Sequence, residues 1–231
     1  MKSIKTLALV TGLLALSGVS QAQFSSTWTA VSDYDFRGFS QTSKSPALQA
    51  SADYAFGESG FSLGAWVSNV DFDTDEDMES DFYMNYVGKI NDTFAWTTGF
   101  TWYDYPLGSD LDGFSEVYVG FNAGNFGFKQ WYSPDWLALS KDGLYTEGNY
   151  SQPIGDKFSL AFHAGYSWGD AWEDIELFDY SVTANFTAGN FTIFGKFTGT
   201  DASGADKITT DLNNNEPRFL IGVMTTFPWG D

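Results

Sequence analysis

Apolar and polar side chains alternate along most of the chain after residue 23. In the segment 158–168, the aromatic residues Phe158, Phe162 and Tyr166 lie at even positions, whereas the polar Ser159 lies at an odd position. A period of two is the pattern of a β-strand with one apolar and one polar face. Twelve segments show it: 24–36, 46–56, 61–72, 81–90, 93–104, 113–122, 125–133, 143–152, 157–168, 178–187, 190–200 and 217–228.

The segments are longer than the strands of most globular proteins, and their connections alternate between short and long. Most span 10–13 residues, against about 5–6 in a typical soluble strand and about 9–11 in a tilted strand that crosses a bilayer. The short connections are 57–60, 91–92, 123–125, 153–156 and 188–190. The long ones are 37–45, 73–80, 105–112, 134–142, 169–177 and 201–216.

This layout predicts an all-β protein: an antiparallel up-and-down transmembrane β-barrel of about 12 strands, with short periplasmic turns and long extracellular loops. If the pattern assigns one hairpin incorrectly, the barrel would have ten or fourteen strands. The alternative is a soluble β-sandwich with an aromatic core, which requires neither strands this long nor a regular alternation of loop lengths.

The first 22 residues have the features of a secretory signal peptide. Lys2 and Lys5 precede an apolar run over 7–19, and small residues lead to a cleavage position after Ala22. The run is too short for a membrane anchor, which needs about 20 apolar residues. We therefore predict that 1–22 is removed and that 23–231 forms a single barrel domain, exported through the periplasm to the outer membrane of a Gram-negative cell.

Composition excludes several classes of function. The chain carries 30 acidic against 11 basic residues, a net charge of −19, so nucleic acid is not an expected partner. The absence of cysteine and the presence of one histidine exclude a disulfide framework and argue against a zinc site. Aromatic residues make up 19% of the chain, far more than disordered segments contain.

The polar face of the strands supplies the candidate functional residues. A Lys or Arg facing lipid at mid-bilayer costs about 2–4 kcal/mol, so strand charges are expected to face the lumen. The predicted pore-lining residues are Asp33, Asp53, Lys89, Glu116, Lys129, Glu147, His163, Asp179, Lys196 and Arg218. Two interpretations stay open: the charges pair and fill the barrel, or they line a path and set its ion preference. Eight strands enclose only side chains and 16–18 an aqueous channel, so twelve fit a narrow pore.

The stretch 71–81, which includes the connection 73–80, holds seven carboxylates in eleven residues. It begins like an EF-hand loop, but Glu76 replaces the required glycine and Phe82 the final glutamate. Such runs are usually just solvated. The sharper hypothesis is an acidic mouth that concentrates cations, with a weak Ca²⁺ or Mg²⁺ site as the only cofactor expected. Its ligands would be Asp71, Asp73, Asp75, Asp77 and Glu79.

An enzyme is not predicted. His163 is the only histidine available as a general base, and no serine lies in a G-x-S-x-G sequence. A single histidine on the lumen face is more often a hydrogen-bonding residue.

Three N-terminal stretches carry a family resemblance. The sequences SDYDFRGFSQ at 32–41, PALQ at 46–49 and GAWVSNVDF at 64–72 are similar to those of the TorF porin family. The family usually has a basic residue after the tyrosine, where this chain has Asp35. The resemblance implies a signal peptide, an outer-membrane barrel and a porin-type function.

The sequence as a whole predicts a narrow porin-like channel for passive diffusion of small solutes or ions, with a preference for cations. The alternative is a non-conducting structural or adhesive barrel that acts through its acidic loops. The expected partners are outer-membrane lipid and lipopolysaccharide, the barrel assembly machinery, and small solutes or cations.

Overall fold

The computed structural model of the protein describes residues 24–72, 74–108, 112–173, 175–203 and 216–229, so the predicted signal peptide lies outside the described residues. Two short 3-10 helices, Trp136–Ala138 and Asp170–Trp172, accompany the strands. The strands are β1 (Phe24–Val31), β2 (Asp35–Phe36), β3 (Phe39–Ser40), β4 (Ala47–Ala55), β5 (Phe61–Asn69), β6 (Met78–Lys89), β7 (Phe94–Asp104), β8 (Phe114–Ala123), β9 (Phe126–Ser133), β10 (Gly143–Ile154), β11 (Phe158–Trp168), β12 (Glu176–Ala188), β13 (Phe191–Ser203) and β14 (Arg218–Phe227). Across the described ranges, no helix is long and apolar enough to cross a membrane.

Twelve of these strands form one closed antiparallel barrel. Consecutive long strands pair with each other, and β1 closes the ring by pairing with β14, from Ser26 opposite Phe227 to Val31 opposite Gly222. Closure leaves no edge strand with unpaired backbone groups. The predicted twelve-stranded barrel is confirmed.

Tight turns join the strands at one end of the barrel. The sequence Ala-Gly-Asn-Phe supplies two of them, with Gly124 at φ +59° and Gly189 at φ +62°. A Cβ at either position would touch nothing within 4 Å. The backbone conformation itself is therefore what requires glycine there, because L residues rarely adopt positive φ.

The alternation separates two faces of the wall as predicted. Outward side chains are apolar and exposed, such as Val119 at 62% and Phe219 at 67% of their surface. Inward side chains are mostly small, polar or charged and are largely buried, such as Thr97 at 5% and Glu116 at 1%. An apolar exterior around a polar interior inverts the arrangement of soluble proteins and is that of membrane barrels.

The first strand is shorter than predicted. The alternation predicts a strand over 24–36, which would include Tyr34 and Phe36, but β1 ends at Val31. Tyr34 is buried, and Phe36 packs edge-on against Tyr103 inside the barrel with their ring centroids 6.1 Å apart. The prediction was wrong because the period of two continues into a second extended segment that turns inward.

Candidate functional site in the barrel lumen

The connection between β1 and β4 contains a small hairpin, β2 and β3, which we call the inner hairpin (residues 35–40). Asp35 pairs with Ser40 and Phe36 with Phe39. The two turn residues both have positive φ, +49° at Arg37 and +83° at Gly38, as a type I′ turn requires. The turn places the Arg37 side chain at the tip of the hairpin.

Ion pairs fix the base of the inner hairpin to β13 and β14. Asp35 accepts hydrogen bonds from Lys196 Nζ at 2.6 Å and from Arg218 Nη2 at 2.5 Å. Arg218 Nε also donates to Asp33 at 2.5 Å, and its Nη1 donates to the carbonyl of Gly38 at 2.8 Å. These charge-assisted contacts bind the hairpin to the wall close to the strand from which it emerges.

The tip of the inner hairpin reaches the opposite wall. Arg37 Nη2 donates to both carboxylate oxygens of Glu116 on β8, at 2.9 and 2.7 Å, and Tyr103 donates to the same carboxylate at 2.9 Å. In the closed strand order, β8 and β9 lie about half-way round the ring from β1 and β4. The hairpin therefore crosses the lumen near the long-loop end.

Arg37 remains charged although it is buried. Its side chain is 10% exposed and that of Glu116 only 1%. Burial alone would lower the pKa of the Arg37 guanidinium, but the Glu116 carboxylate outweighs burial and raises the pKa above its usual value.

Aromatic rings surround the Arg37 guanidinium. Its central carbon lies 4.0 Å from the ring centroid of Tyr145, 4.8 Å from Phe36, 5.0 Å from Trp136 and 5.9 Å from Trp131. All four distances are within the range of cation–π attraction. Except for Phe36, these rings belong to β9, β10 and the connection between them.

The flank of the inner hairpin packs closely against the barrel wall. A Cβ at Gly38 would collide with the Thr200 hydroxyl and approach Asp179 Cβ to 2.9 Å. Just before the inner hairpin, the Tyr34 hydroxyl donates to Glu79 on β6 at 3.2 Å. Burial raises the pKa of Tyr34, and the charges of Glu79 and Asp81 raise it further, so the hydroxyl keeps its proton.

A second polar network includes His163. Its Nε2 lies 2.8 Å from Asp179 and 2.9 Å from the Tyr145 hydroxyl, and its Nδ1 lies 2.8 Å from Asn149 Oδ1. Glu147 Oε2 is 3.6 Å from the same Nδ1. Both imidazole nitrogens are thus bonded to groups other than a serine hydroxyl.

Lys129 lies over two aromatic rings. Its Nζ lies 4.4 Å from the ring centroid of Tyr118 and 4.9 Å from that of Trp131. Glu147 is nearby and accepts from Trp131 Nε1 at 2.8 Å. The inward face therefore mixes both signs of charge with aromatic rings.

The structure brings most of the predicted site residues together. Two residues lie apart: Asp53, which accepts from Tyr83 at 2.5 Å and Ser51 at 2.8 Å, and Lys89, which is exposed at the end of β6. Asp33 lies beyond β1, at the base of the inner hairpin. The other residues belong to the ion pairs of the inner hairpin or to the His163 network, and Lys129 lies beside them. The members of these two networks are Asp33, Glu116, Glu147, His163, Asp179, Lys196 and Arg218.

The proposed divalent-cation site gains no support. Of its five residues, Asp73 lies outside the described part of the chain. Among the residues described, no three or more His, Asp or Glu side chains converge into a metal-binding group. Glu79 instead is buried and accepts the Tyr34 hydrogen bond. The site stays a prediction.

Sequence reasoning missed the residues that connect the two walls. The alternation predicts a long extracellular loop that begins at Arg37 and a strand that contains Asp35, so it selects neither as a site residue. The available signal was Phe39, because a fully solvated loop has no reason to carry a large aromatic residue so close to Tyr34 and Phe36. Tyr145, Trp131 and Trp136 carried no signal, since aromatic residues occur throughout the chain.

A protein-family model matches residues 15–227 and is described as "Bacterial protein of unknown function (Gcw_chp)". The chain belongs to the Gcw_chp family. The TorF resemblance of the N-terminal motifs is not confirmed by this match and stays a prediction. A comparison with curated proteins finds no match.

Solved structures similar to this Gcw_chp chain include porins. The KdgM porin has a TM-score of 0.57 at 13% identity, covering 88% of this chain and 99% of its own. The KdgM porin in complex with disordered oligogalacturonate gives 0.59 at 14%, with the same coverage. The NanC porin gives 0.55 at 11% identity, covering 89% and 99%. Likeness at this level of identity shows the fold.

Proposed function

We propose that this Gcw_chp protein is an outer-membrane channel for passive diffusion of small ions and solutes, with a preference for cations. The observation that carries the proposal is the closed barrel with an apolar exterior and a charged interior. Such an exterior is stable only in lipid, and such an interior offers ions an alternative to their hydration shell.

The charge balance of the interior supports cation preference. Among the described residues, inward carboxylates outnumber inward cationic side chains. The carboxylates are Asp33, Asp35, Asp53, Glu116, Glu147 and Asp179, and the cationic side chains enclosed with them are Arg37, Lys129, Lys196 and Arg218. An excess of negative charge in a low-dielectric passage raises the local cation concentration. The same excess disfavours a polyanion such as the oligogalacturonate named with the KdgM porin.

The inner hairpin makes the passage narrow. Because it spans from β14 to β8, ions must pass beside it or wait for it to move. A hydrolase is disfavoured because both nitrogens of His163 are already hydrogen bonded within the wall.

Single-channel recording of the refolded chain 23–231 under a KCl gradient tests the proposal. We expect discrete conductance steps with a reversal potential that indicates cation preference. The isosteric variant D53N removes an inward charge and should reduce the preference, whereas E58Q, at an exposed turn, should not. A preference for anions, or equal effects of D53N and E58Q, would contradict it.

The alternative function is a non-conducting barrel that acts through its acidic loops. A protein that inserts into the bilayer and never conducts would favour it. The variants to compare would then be the acidic-to-amide exchanges at Asp71, Asp75 and Asp77, with attachment to surfaces as the readout.

A further inference from the structure

The contacts of Arg37 describe a binding pocket on the opposite wall. Glu116 provides two carboxylate oxygens, Tyr103 holds that carboxylate by a hydrogen bond, and Tyr145, Trp131 and Trp136 provide aromatic rings. We call these five residues the cation pocket. They come from β7, β8, β9 and β10, which are hydrogen-bonded neighbours in the barrel, and from the connection between β9 and β10.

We propose that the cation pocket is a binding site for guanidinium compounds and that Arg37 is its tethered occupant. The proposal rests on the channel function above and names a class of solute for it. When the inner hairpin leaves, a free guanidinium compound takes the place of Arg37. Displacement by such a solute then opens the passage.

The chemistry of the pocket fits this class better than a simple metal cation. Two carboxylate oxygens match the planar N–H groups of a guanidinium, and aromatic faces attract weakly hydrated cations. K⁺ gains less binding free energy because it is compact and retains its hydration shell. A tetramethylammonium ion would meet the rings but could not donate hydrogen bonds to Glu116.

Burial explains why displacement needs a competing cation. Glu116 is 1% exposed, so removing Arg37 without replacement would leave a buried, uncompensated carboxylate, which is strongly unfavourable.

The backbone of the hairpin tip is compatible with such a release. Arg37 adopts a φ of +49°, a conformation that costs a non-glycine residue energy and persists only while its contacts hold it. A solute that takes over the contacts with Glu116 therefore also removes what maintains this conformation.

The test uses the refolded chain 23–231 and the variants R37A, R37A/E116Q and K44A. Lys44 lies in the same connection but pairs with Glu216 at the exposed surface, so K44A is the matched control. Guanidinium chloride is compared with KCl and tetramethylammonium chloride at equal ionic strength. We expect a saturable blockade of R37A currents by guanidinium, weaker by about tenfold or more in R37A/E116Q. In K44A and the wild-type chain, where Arg37 occupies the pocket, guanidinium should instead raise the conductance, and only at higher concentrations than those that block R37A.

A second readout does not depend on conduction. Tryptophan fluorescence of the same proteins in detergent micelles should change saturably with guanidinium in R37A, and only weakly in R37A/E116Q and K44A. If R37A fails to fold, R37K replaces it, because a lysine is a poorer occupant and guanidinium should displace it at lower concentration than it displaces Arg37.

The outcomes separate the two proposals. A response of R37A equal to that of K44A, or an undiminished response in R37A/E116Q, overturns the guanidinium site even if the channel conducts. If no protein conducts but the fluorescence titration shows the Glu116-dependent response, the channel function fails and the binding site stands.

Discussion

Arg218 is the residue whose loss should most directly release the inner hairpin. Its guanidinium donates to Asp33, to Asp35 and to the carbonyl of Gly38, and it is 10% exposed. We predict that R218M shifts the hairpin toward an undocked state while the strand pairing stays intact.

The magnitude follows from the contacts. Removing one partner of a buried ion pair costs about 3–5 kcal/mol, and hydrogen bonds to charged groups contribute about 1.5–3 kcal/mol each. Lys196 lies 2.6 Å from Asp35 and is unchanged in the variant, so Asp35 keeps one cationic partner and the lower end applies. A loss of about 3 kcal/mol raises the undocked population about a hundredfold.

Thiol labelling can measure this population because the chain has no cysteine of its own. Ser40 is 4% exposed in the docked hairpin, so S40C reacts with a maleimide only when the hairpin opens. We expect S40C/R218M to react about a hundredfold faster than S40C. The control S40C/K44M loses an exposed pair with its partner 3.0 Å away, which contributes about 0–1 kcal/mol, so its rate should change a few-fold at most. Equal rates for S40C/R218M and S40C would refute the reasoning.

Two further variants test other parts of the structure. G38A places a methyl group against the Thr200 hydroxyl in a left-handed backbone conformation. It should destabilise the docked hairpin by about 1–3 kcal/mol and accelerate S40C labelling. An unchanged labelling rate would show that the hairpin does not pack on this wall. V119R puts a charge on the exposed outer face and should lower the free energy of unfolding in lipid vesicles by about 2–4 kcal/mol in denaturant titrations, whereas E58R at a turn should change it little. Equal effects of V119R and E58R would mean that Val119 does not face lipid.

The amino-acid sequence by itself determined the barrel. Strand number, most strand limits to within a few residues and the outward or inward direction of most strand side chains follow from a period of two and from turn residues such as Gly124 and Gly189. Both signals are local, because alternation of side chains is a property of every extended backbone. Even the one clear error, the end of β1, came from the same rule, since residues 35–40 are also extended.

Only the tertiary structure decided what fills the lumen. Arg37 and Glu116 are 79 positions apart, and Asp35 and Lys196 are 161 apart. Which of the charged residues meet depends on the width of the closed barrel and on how far one connection folds inward, and neither quantity is encoded in a local pattern. The physical reason is that pairing across a barrel is set by distances between strands that are remote in sequence, so the cation pocket and its tethered arginine become visible only when the ring is closed.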